Sequence, residues 1–254
     1  MSAFGANASL TAPVEDYLKA IFEIEAGSAV AGAPASAGTT EIAAALRIAP
    51  ASVTGMLRRL ADQGLIAYER YKGVRLTATG RSAALRTIRR HRVIEAYLTR
   101  ALGYPWDRVH DEAERLEHAA SDELIDRMAA AIGEPATDPH GAPIPTREGR
   151  LATRALVALA DVPDGSLVRV HEVGDRDGDR LRYLAELGVM PGTLVRVAAH
   201  APFGGPILLH VGTATAEGTM ERSIGPALAA HILVAPALSP ERRREHGEGG
   251  RRRL

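Results

Sequence analysis

TTEIAAALRIAPASVTGMLRRLADQGLIAYERYKGVRLT, residues 39–77, holds the order from which the fold is read. Ile42 and Leu46 lie four apart on a short helix that Thr40 can cap, and Ala49-Pro50 breaks the chain and restarts it. In the next helix Val53, Leu57 and Leu60 recur at i, i+4 and i+7, and Gly64 ends it. Two short β-type runs follow, Leu65 to Arg70 and Val74 to Thr77, with Tyr71-Lys72-Gly73 as a hairpin tip. Helix, turn, helix, hairpin is the order of a winged helix-turn-helix. Its second helix begins at about Pro50 and exposes Ala51, Ser52, Thr54, Gly55 and Arg58 between the apolar positions. Small residues there allow close approach to a major groove, and Ser52 and Thr54 can bond phosphates. Arg70, Lys72 and Arg75 sit on the hairpin, where a wing meets the nucleic-acid backbone. The alternative for each basic residue is a solvated face; their restriction to the wing favours the DNA reading.

Upstream, Thr11 and Pro13 precede Val14, Tyr17, Leu18, Ile21 and Ile24, whose spacing predicts a helix ending near Ala26. Gly27 to Gly38 is Ala, Gly, Ser and Pro without periodicity and reads as a surface loop. Downstream, Arg81 to Leu102 and Trp106 to Ile132 read as two long amphipathic helices separated by Gly103-Tyr104-Pro105. A loop-like run rich in Pro and Gly follows, then a linker over 147–162 with some helical character. After Pro163 the texture turns to short β-type segments, Leu167 to Val173, Leu194 to Ala199, Ile207 to Val211 and His231 to Val234, which predict a small β-barrel. The fold class expected is therefore mainly α with a small β domain.

The 254 residues suffice for more than one core. The absence of cysteine excludes disulfides, thiolate metal sites and cysteine nucleophiles, so any metal chemistry falls to His, Asp and Glu and to harder ions. Zero net charge gives no global attraction to nucleic acid. Only Lys19 and Lys72 are lysines among 31 basic residues, so a single Arg carries little meaning. With neither a signal sequence nor a span, the expected compartment is the cytoplasm and no membrane partner is expected. The tail 237–254, with Arg242 to Arg244 and Arg251 to Arg253, and residues 1–13 are expected to be disordered.

On the second long helix Val109, Ala113, Leu116, Ala120, Leu124 and Met128 make the inward apolar face. Beside them His110, Glu114, Glu117 and His118 recur at i, i+4, i+7 and i+8, which stacks imidazoles and carboxylates on one side. Glu114 and Glu117 would repel unless something positive sat between them, and a divalent cation fits. The preceding helix adds His91 and Glu95 at i, i+4, a second chelating pair. Any one of these six residues fits a solvated face equally well; all six at helical spacing favour a cluster.

His110-Asp-Glu-Ala-Glu-Arg-Leu-Glu-His118 resembles the signature of the diphtheria-toxin-repressor family of metal-dependent transcriptional repressors. Val14-Glu-Asp-Tyr-Leu18, Arg89-Arg-His-Arg-Val-Ile-Glu95 and Asp138-Pro-His-Gly-Ala-Pro-Ile-Pro145 are similar to its other blocks, in order, and the likeness runs from about Val14 to Val234. It implies a winged-helix domain (14–80), a helical dimerisation and metal-binding domain (81–146) and an SH3-like, FeoA-type domain (163–236). It implies a homodimer on double-stranded operator DNA, with no small-molecule substrate, no enzymatic activity, and targets among metal uptake or efflux genes. Two metal sites per subunit follow from it: a primary site of Asp16, Glu114, Glu117 and His118, and an ancillary site of His91, Glu95 and His110. Iron-dependent members carry Met and Cys where this chain has Asp16 and Glu114. Hard oxygens in their place suit Mn²⁺, with Fe²⁺ close behind. Lys19 stands where the short manganese regulators of the family have a bridging Glu. Asp177 matches the carboxylate that the SH3-like domain lends to the ancillary site, with Asp175 and Asp179 as alternatives. Two readings from other classes remain: a metal-independent winged-helix regulator of a small ligand, and a metallohydrolase that activates water.

Overall fold

A computed structural model describes residues 10–30, 36–69, 73–174, 176–212 and 220–237. The chain divides into two compact units, the first of residues 1–154 with 175–181 and the second of 155–174 with 182–254.

The first unit opens with α1 (Ala12–Val30), α2 (Thr39–Leu46) and α3 (Pro50–Asp62), then the antiparallel pair β1 (Ile66–Glu69) and β2 (Gly73–Leu76) in register Ile66 with Leu76. Helix, turn, helix, hairpin is thus present. Several details differ from the sequence reading. The first helix begins at Ala12, inside the N-terminal stretch expected to be disordered, and continues four residues beyond Ala26, since Gly27 to Val30 keep the helical repeat. Gly38, not Thr40, caps α2, because the Glu41 carboxylate reaches back to accept the Gly38 N–H at 2.7 Å. Ala37 is no surface-loop residue: it is fully buried and exchanges two backbone hydrogen bonds with Val74, each 2.9 Å. Leu18 and Ile21 of α1, Ile42 of α2 and Val53, Leu57 and Leu60 of α3 close one apolar core.

α4 (Ala78–Leu102) starts three residues earlier than periodicity alone indicates, because the Thr77 hydroxyl accepts the Gly80 N–H at 3.1 Å and caps it. The expected single helix from Trp106 to Ile132 is two, α5 (Val109–Leu116) and α6 (Asp122–Ala131). Ser121, extended at ψ 154, accepts the Leu124 N–H at 3.2 Å, and Asp122 and Glu123 occupy the first turn of α6, so a new helix N-terminus competes successfully with continuation. The break changes the buried face: Ile125 and Ala129 go inward, while Leu116 and Leu124 lie exposed. Val93, Ile94 and Leu98 of α4 with Val109, Ala113 and Ile125 form a second core.

The second unit is built on a six-stranded antiparallel sheet in the order β3-β8-β4-β5-β6-β7: β3 (Val157–Ala158), β4 (Leu167–Val173), β5 (Leu194–His200), β6 (Ile207–Gly212), β7 (Met220–Ile224) and β8 (Ile232–Pro236). Val157 to Asp161, expected in a partly helical linker, instead supply a strand and a 3-10 turn of this sheet domain. β7, α7 (Gly178–Leu187) and the four-residue α8 (Pro226–Ala229) were not anticipated. Register shifts at Val170/Glu172 and Val197/Ala199 mark bulges of the kind that bend small sheets. The fold class is mainly α with a small β domain of SH3-like kind. The C-terminal arginine runs lie outside the described residues.

The wing and α4 are locked by Gly80, where an added Cβ would stand 1.9 Å from the Leu65 carbonyl oxygen. Backbone cannot yield as a flexible side chain does, so Gly80→Ala is expected to destabilise the N-terminal core by about 1–3 kcal/mol or more. Chemical denaturation measures this; a midpoint equal to wild type would show that Gly80 is not pinned.

Candidate metal centre

Three elements meet where the sequence pointed. α1 contributes Glu15, Asp16 and Lys19, α4 contributes Arg90, His91 and Glu95, and α5 with the turn after it contributes His110, Glu114, Glu117 and His118. Glu117 caps the end of α5 and His118 follows in the turn, so the last two ligand candidates stand on the break rather than on a continuous helix.

Asp16, Glu117 and His118 converge, with one donor atom of each within 4.8 Å of the others. His118 Nε2 lies 2.8 Å from Asp16 Oδ1 and 3.6 Å from Glu117 Oε1. The other ring nitrogen, Nδ1, lies 2.7 Å from Glu15 Oε2, and Glu15 is held in turn by Arg90 at 3.3 Å. A carboxylate behind a histidine fixes the ring and leaves Nε2 for an ion. Hydrogen bonds to Asp16 and Glu15 push the His118 imidazolium up to about 10.

The second cluster is tighter. His91 Nε2 lies 2.9 Å from Glu95 Oε1 and 3.1 Å from His110 Nδ1, and the last two are 3.4 Å apart. Donors around one small cation with bonds of about 2.1 Å are spaced by roughly 3 Å. Burial opposes charge on His91, but Glu95 and the hydrogen bonds that the ring donates to Glu117 and Glu95 outweigh it and carry the ring up to about 10. Burial likewise works against ionised Glu95, yet the neighbouring His91, with His110 and His140 beside it, holds its carboxyl well below the usual range.

Glu114 departs from its expected place. It turns from Asp16 and His118 to the Lys19 ammonium, 2.7 Å away, and groups with His91 and His110. Lys19 also reaches both Glu117 oxygens, at 2.9 and 3.1 Å.

Sequence reasoning overlooked the support around these side chains. Glu15 and Arg90 lie within quoted motif blocks, beside Asp16 and His91, but nothing in their spacing shows that they back His118. His140, in the Asp138 block, is fully buried; it donates from Nε2 to the Trp106 carbonyl at 2.7 Å and turns Nδ1 toward Glu95 Oε2 at 3.8 Å. Asp138 Oδ1 accepts the N–H groups of His140 and Ala142 at 2.9 and 3.0 Å and shapes that loop.

Asp177 caps α7, accepting from the N–H groups of Asp179 and Arg180 at 3.1 and 3.2 Å, and faces Arg180 Nε at 3.1 Å. It lines a cleft of about 620 Å³ with Asp16, Lys19, Glu23, His110 and Glu114 but is not among the converging donors. Neighbouring Arg176 pairs with Glu23. Asp175 lies outside the described residues, as do Arg70 and Lys72 of the wing. Of the DNA-facing candidates, Pro50, Ala51, Ser52, Gly55, Arg58 and Arg75 are exposed and Thr54 half-buried, with Val53, Leu57 and Leu60 fully buried behind them.

A winged helix-turn-helix whose first helix shares a histidine–carboxylate cluster with a helical layer defines a metal-responsive DNA-binding regulator. Family profiles agree along the chain: "Iron dependent repressor, N-terminal DNA binding domain" matches residues 9–74, "Iron dependent repressor, metal binding and dimerisation domain" 77–146, and "FeoA domain" 157–236. The iron-dependent repressor IdeR of Mycobacterium leprae is 31% identical over 208 residues, 77% of this chain and 87% of that protein. The HTH-type transcriptional regulator MntR of Lysinibacillus sphaericus is 34% identical over 122 residues, 48% of this chain and 83% of that protein. A solved structure of a manganese-dependent transcriptional repressor in complex with manganese superposes with a TM-score of 0.79 at 36% identity, covering 88% of this chain and all of that one. The chain belongs to the iron-dependent repressor family, that of the diphtheria toxin repressor, and is a metal-dependent transcriptional repressor.

His118 at about 10 is charged at neutral pH, whereas a ligand imidazole must be neutral, so an ion entering this cluster displaces a proton. Affinity for a divalent probe ion held through His118 is expected to rise by up to about tenfold per pH unit between about pH 6.5 and 9. Calorimetry in buffers of different ionisation enthalpy checks it; an affinity flat across that range would show His118 already neutral. The same raised value stabilises the metal-free fold fully below about pH 6.5 and loses that contribution as pH climbs through about 10.

Proposed function

We propose that the protein is a cytoplasmic homodimer that senses manganese(II), with iron(II) the alternative ion, through two sites per subunit, and represses metal-homeostasis genes by binding their operators. The observation that carries this reading is the 2.8 Å contact between Asp16 on α1 and His118 beyond α5. It joins a helix of the winged-helix core to the helical layer through two groups that both ligate hard cations.

Asp16, Glu117 and His118 form the core of the primary site, with Glu114 as its fourth ligand once released from Lys19. His91, Glu95 and His110 form the ancillary site, and Asp177 across the cleft is the carboxylate nearest in kind to complete it. An all-oxygen and imidazole donor set favours Mn²⁺ over softer ions, and Fe²⁺ shares those preferences. The structural relative solved with manganese supports the same choice. Exposed Leu102, Tyr104, Leu116 and Leu124 on the helical layer suit a subunit interface. Among the described residues no helix is long and apolar enough to cross a membrane.

The bound cation supplies positive charge between carboxylates that otherwise repel. Asp16 then fixes α1 against the turn at His118, Glu15 and Arg90 hold the imidazole, and the shared core of α1 and α3 carries that constraint to the exposed face of α3. A dimer so fixed presents two α3 helices at a set spacing, and metal favours that state because it binds it more tightly.

Asp16→Ala is therefore expected to abolish manganese-dependent operator binding, while Ser52→Ala weakens binding with the metal response intact. Mobility-shift titration of metal-stripped protein with Mn²⁺ and with anaerobic Fe²⁺ measures both. Full metal-dependent binding by the Asp16→Ala protein would defeat the reading.

A further inference from the structure

The outer edge of β2, on the side away from β1, is taken up from upstream in the chain. Ala37 exchanges two backbone hydrogen bonds with Val74 there, each 2.9 Å. Polar groups two residues apart on a strand point to the same side, so the Leu76 N–H is the next donor on that edge. Glu25 of α1 meets it, its Oε1 accepting the Leu76 N–H at 2.8 Å. The carboxylate continues by one bond the pairing that Ala37 begins, and satisfies a donor that strand pairing leaves over.

Glu25 is held for that task. It is only 8% exposed, and its Oε2 lies 3.8 Å from the guanidinium of Arg81 in the first turns of α4. The same guanidinium lies over the Phe22 ring of α1, 4.8 Å from its centroid. Thr77, next after Leu76, caps α4 and donates to the Leu65 carbonyl at 3.1 Å. The root of the hairpin is thus gripped from two sides, by α4 through Thr77 and by α1 through Glu25. Apolar packing of α1 against α3 and Val74 is non-directional. A charge-assisted bond to a backbone N–H is directional and sets where β2 stands.

We propose that Glu25 is a positioning residue for operator binding: it fastens the root of the wing to α1, the helix that carries Asp16, so that Arg75 meets the phosphate backbone in fixed relation to α3. The inference rests on the reading that the hairpin contacts DNA.

Operator binding by the full chain with saturating Mn²⁺, titrated across salt concentrations, tests it. Glu25→Met keeps the bulk and removes the acceptor. It is expected to take up manganese as the wild type does, to lose about tenfold in operator affinity, and to flatten the slope of log K against log salt by about 1, the equivalent of one phosphate contact. Removal of a negative charge by itself strengthens attraction to DNA, so a loss reports geometry. Glu25→Gln, whose amide oxygen still accepts the Leu76 N–H, is expected to stay within about twofold of wild type. Arg75→Ala is expected to cost affinity in the wild-type background and nothing further in Glu25→Met. Wild-type affinity and slope in a folded Glu25→Met protein overturn the proposal, as do a Glu25→Gln protein as weak as Glu25→Met or additive losses in the double variant. Amide exchange of the wild type needs no variant: a Leu76 N–H that exchanges at the rate of an open strand edge overturns it too. An Arg75→Ala protein with an unchanged salt slope removes the wing reading itself, and with it this one, so the two failures are told apart.

Discussion

Carboxylates gathered at one junction of helices must be neutralised, and that requirement governs the first unit. Glu15, Asp16, Glu95, Glu114 and Glu117 meet where α1 crosses α4 and α5, and Glu95 and Glu117 are fully buried. Leaving one such charge unpaired costs about 3–5 kcal/mol, so each has a cationic or imidazole partner. Arg90 serves Glu15, Lys19 serves Glu114 and Glu117, His91 serves Glu95 and Glu117, and His118 serves Glu15 and Asp16. Apolar packing alone would hold α1 in place whatever the solution contained. A contact made of charge responds to whatever changes the charge.

The helical layer is braced to keep this junction rigid. Arg89 donates to the Pro145 carbonyl at 3.0 Å and Arg92 to that of Pro143 at 2.6 Å, which draws the loop after α6 onto α4. Arg89 also binds Asp126 of α6 at 2.9 Å, and Arg86 and Arg90 converge on Asp122. The loop so held places His140 behind Glu95, stacked on Trp106 with ring centroids 5.6 Å apart. Glu95 therefore has little freedom to turn from His91 and His110. Orientation of ligands from behind, through groups that touch no ion, narrows the ions that fit.

Periodicity and punctuation made much of this legible. The winged helix follows from residues 39–77 because each element there is local: caps, a Pro at a helix start and a hairpin. The His and Glu stripes were readable because i, i+4 spacing survives any tertiary context. Three things were not. The break at Ser121 hides in a sequence whose apolar residues suit a continuous helix, and the cap prevails only because Ile125 and Ala129 then reach the core. Resemblance put Lys19 at the position of a bridging Glu, but its burial depends on Glu114 and Glu117, about a hundred residues away in the chain, which spacing along α1 does not show. In the sheet domain β7 alternates Met220, Arg222 and Ile224 around polar residues, a signal too short to separate from turn.

Asp16 and Lys19 face the same scaffold from one turn of α1, and Glu117 answers both. An ion that draws Glu117 Oε1 toward His118 weakens what Glu117 offers Lys19 and, through Oε2, His91. Occupancy of the ancillary cluster, which competes for His91 from its other nitrogen, acts on the same carboxylate from the opposite side. On the proposed reading, ions at the two clusters would be coupled by this shared group, and coupling of binding energies is reciprocal. The partner that moves is α1, because α4 and α5 are held by their own core and by the arginine-laced loop. Leu18 and Ile21 of α1 share a close-packed core with Val53 and Leu57 of α3, so α1 does not shift alone. On that reading, what would reach the exposed face of Ser52, Gly55 and Arg58 is a shift of the winged helix as one packed body, set by the charge around one buried glutamate.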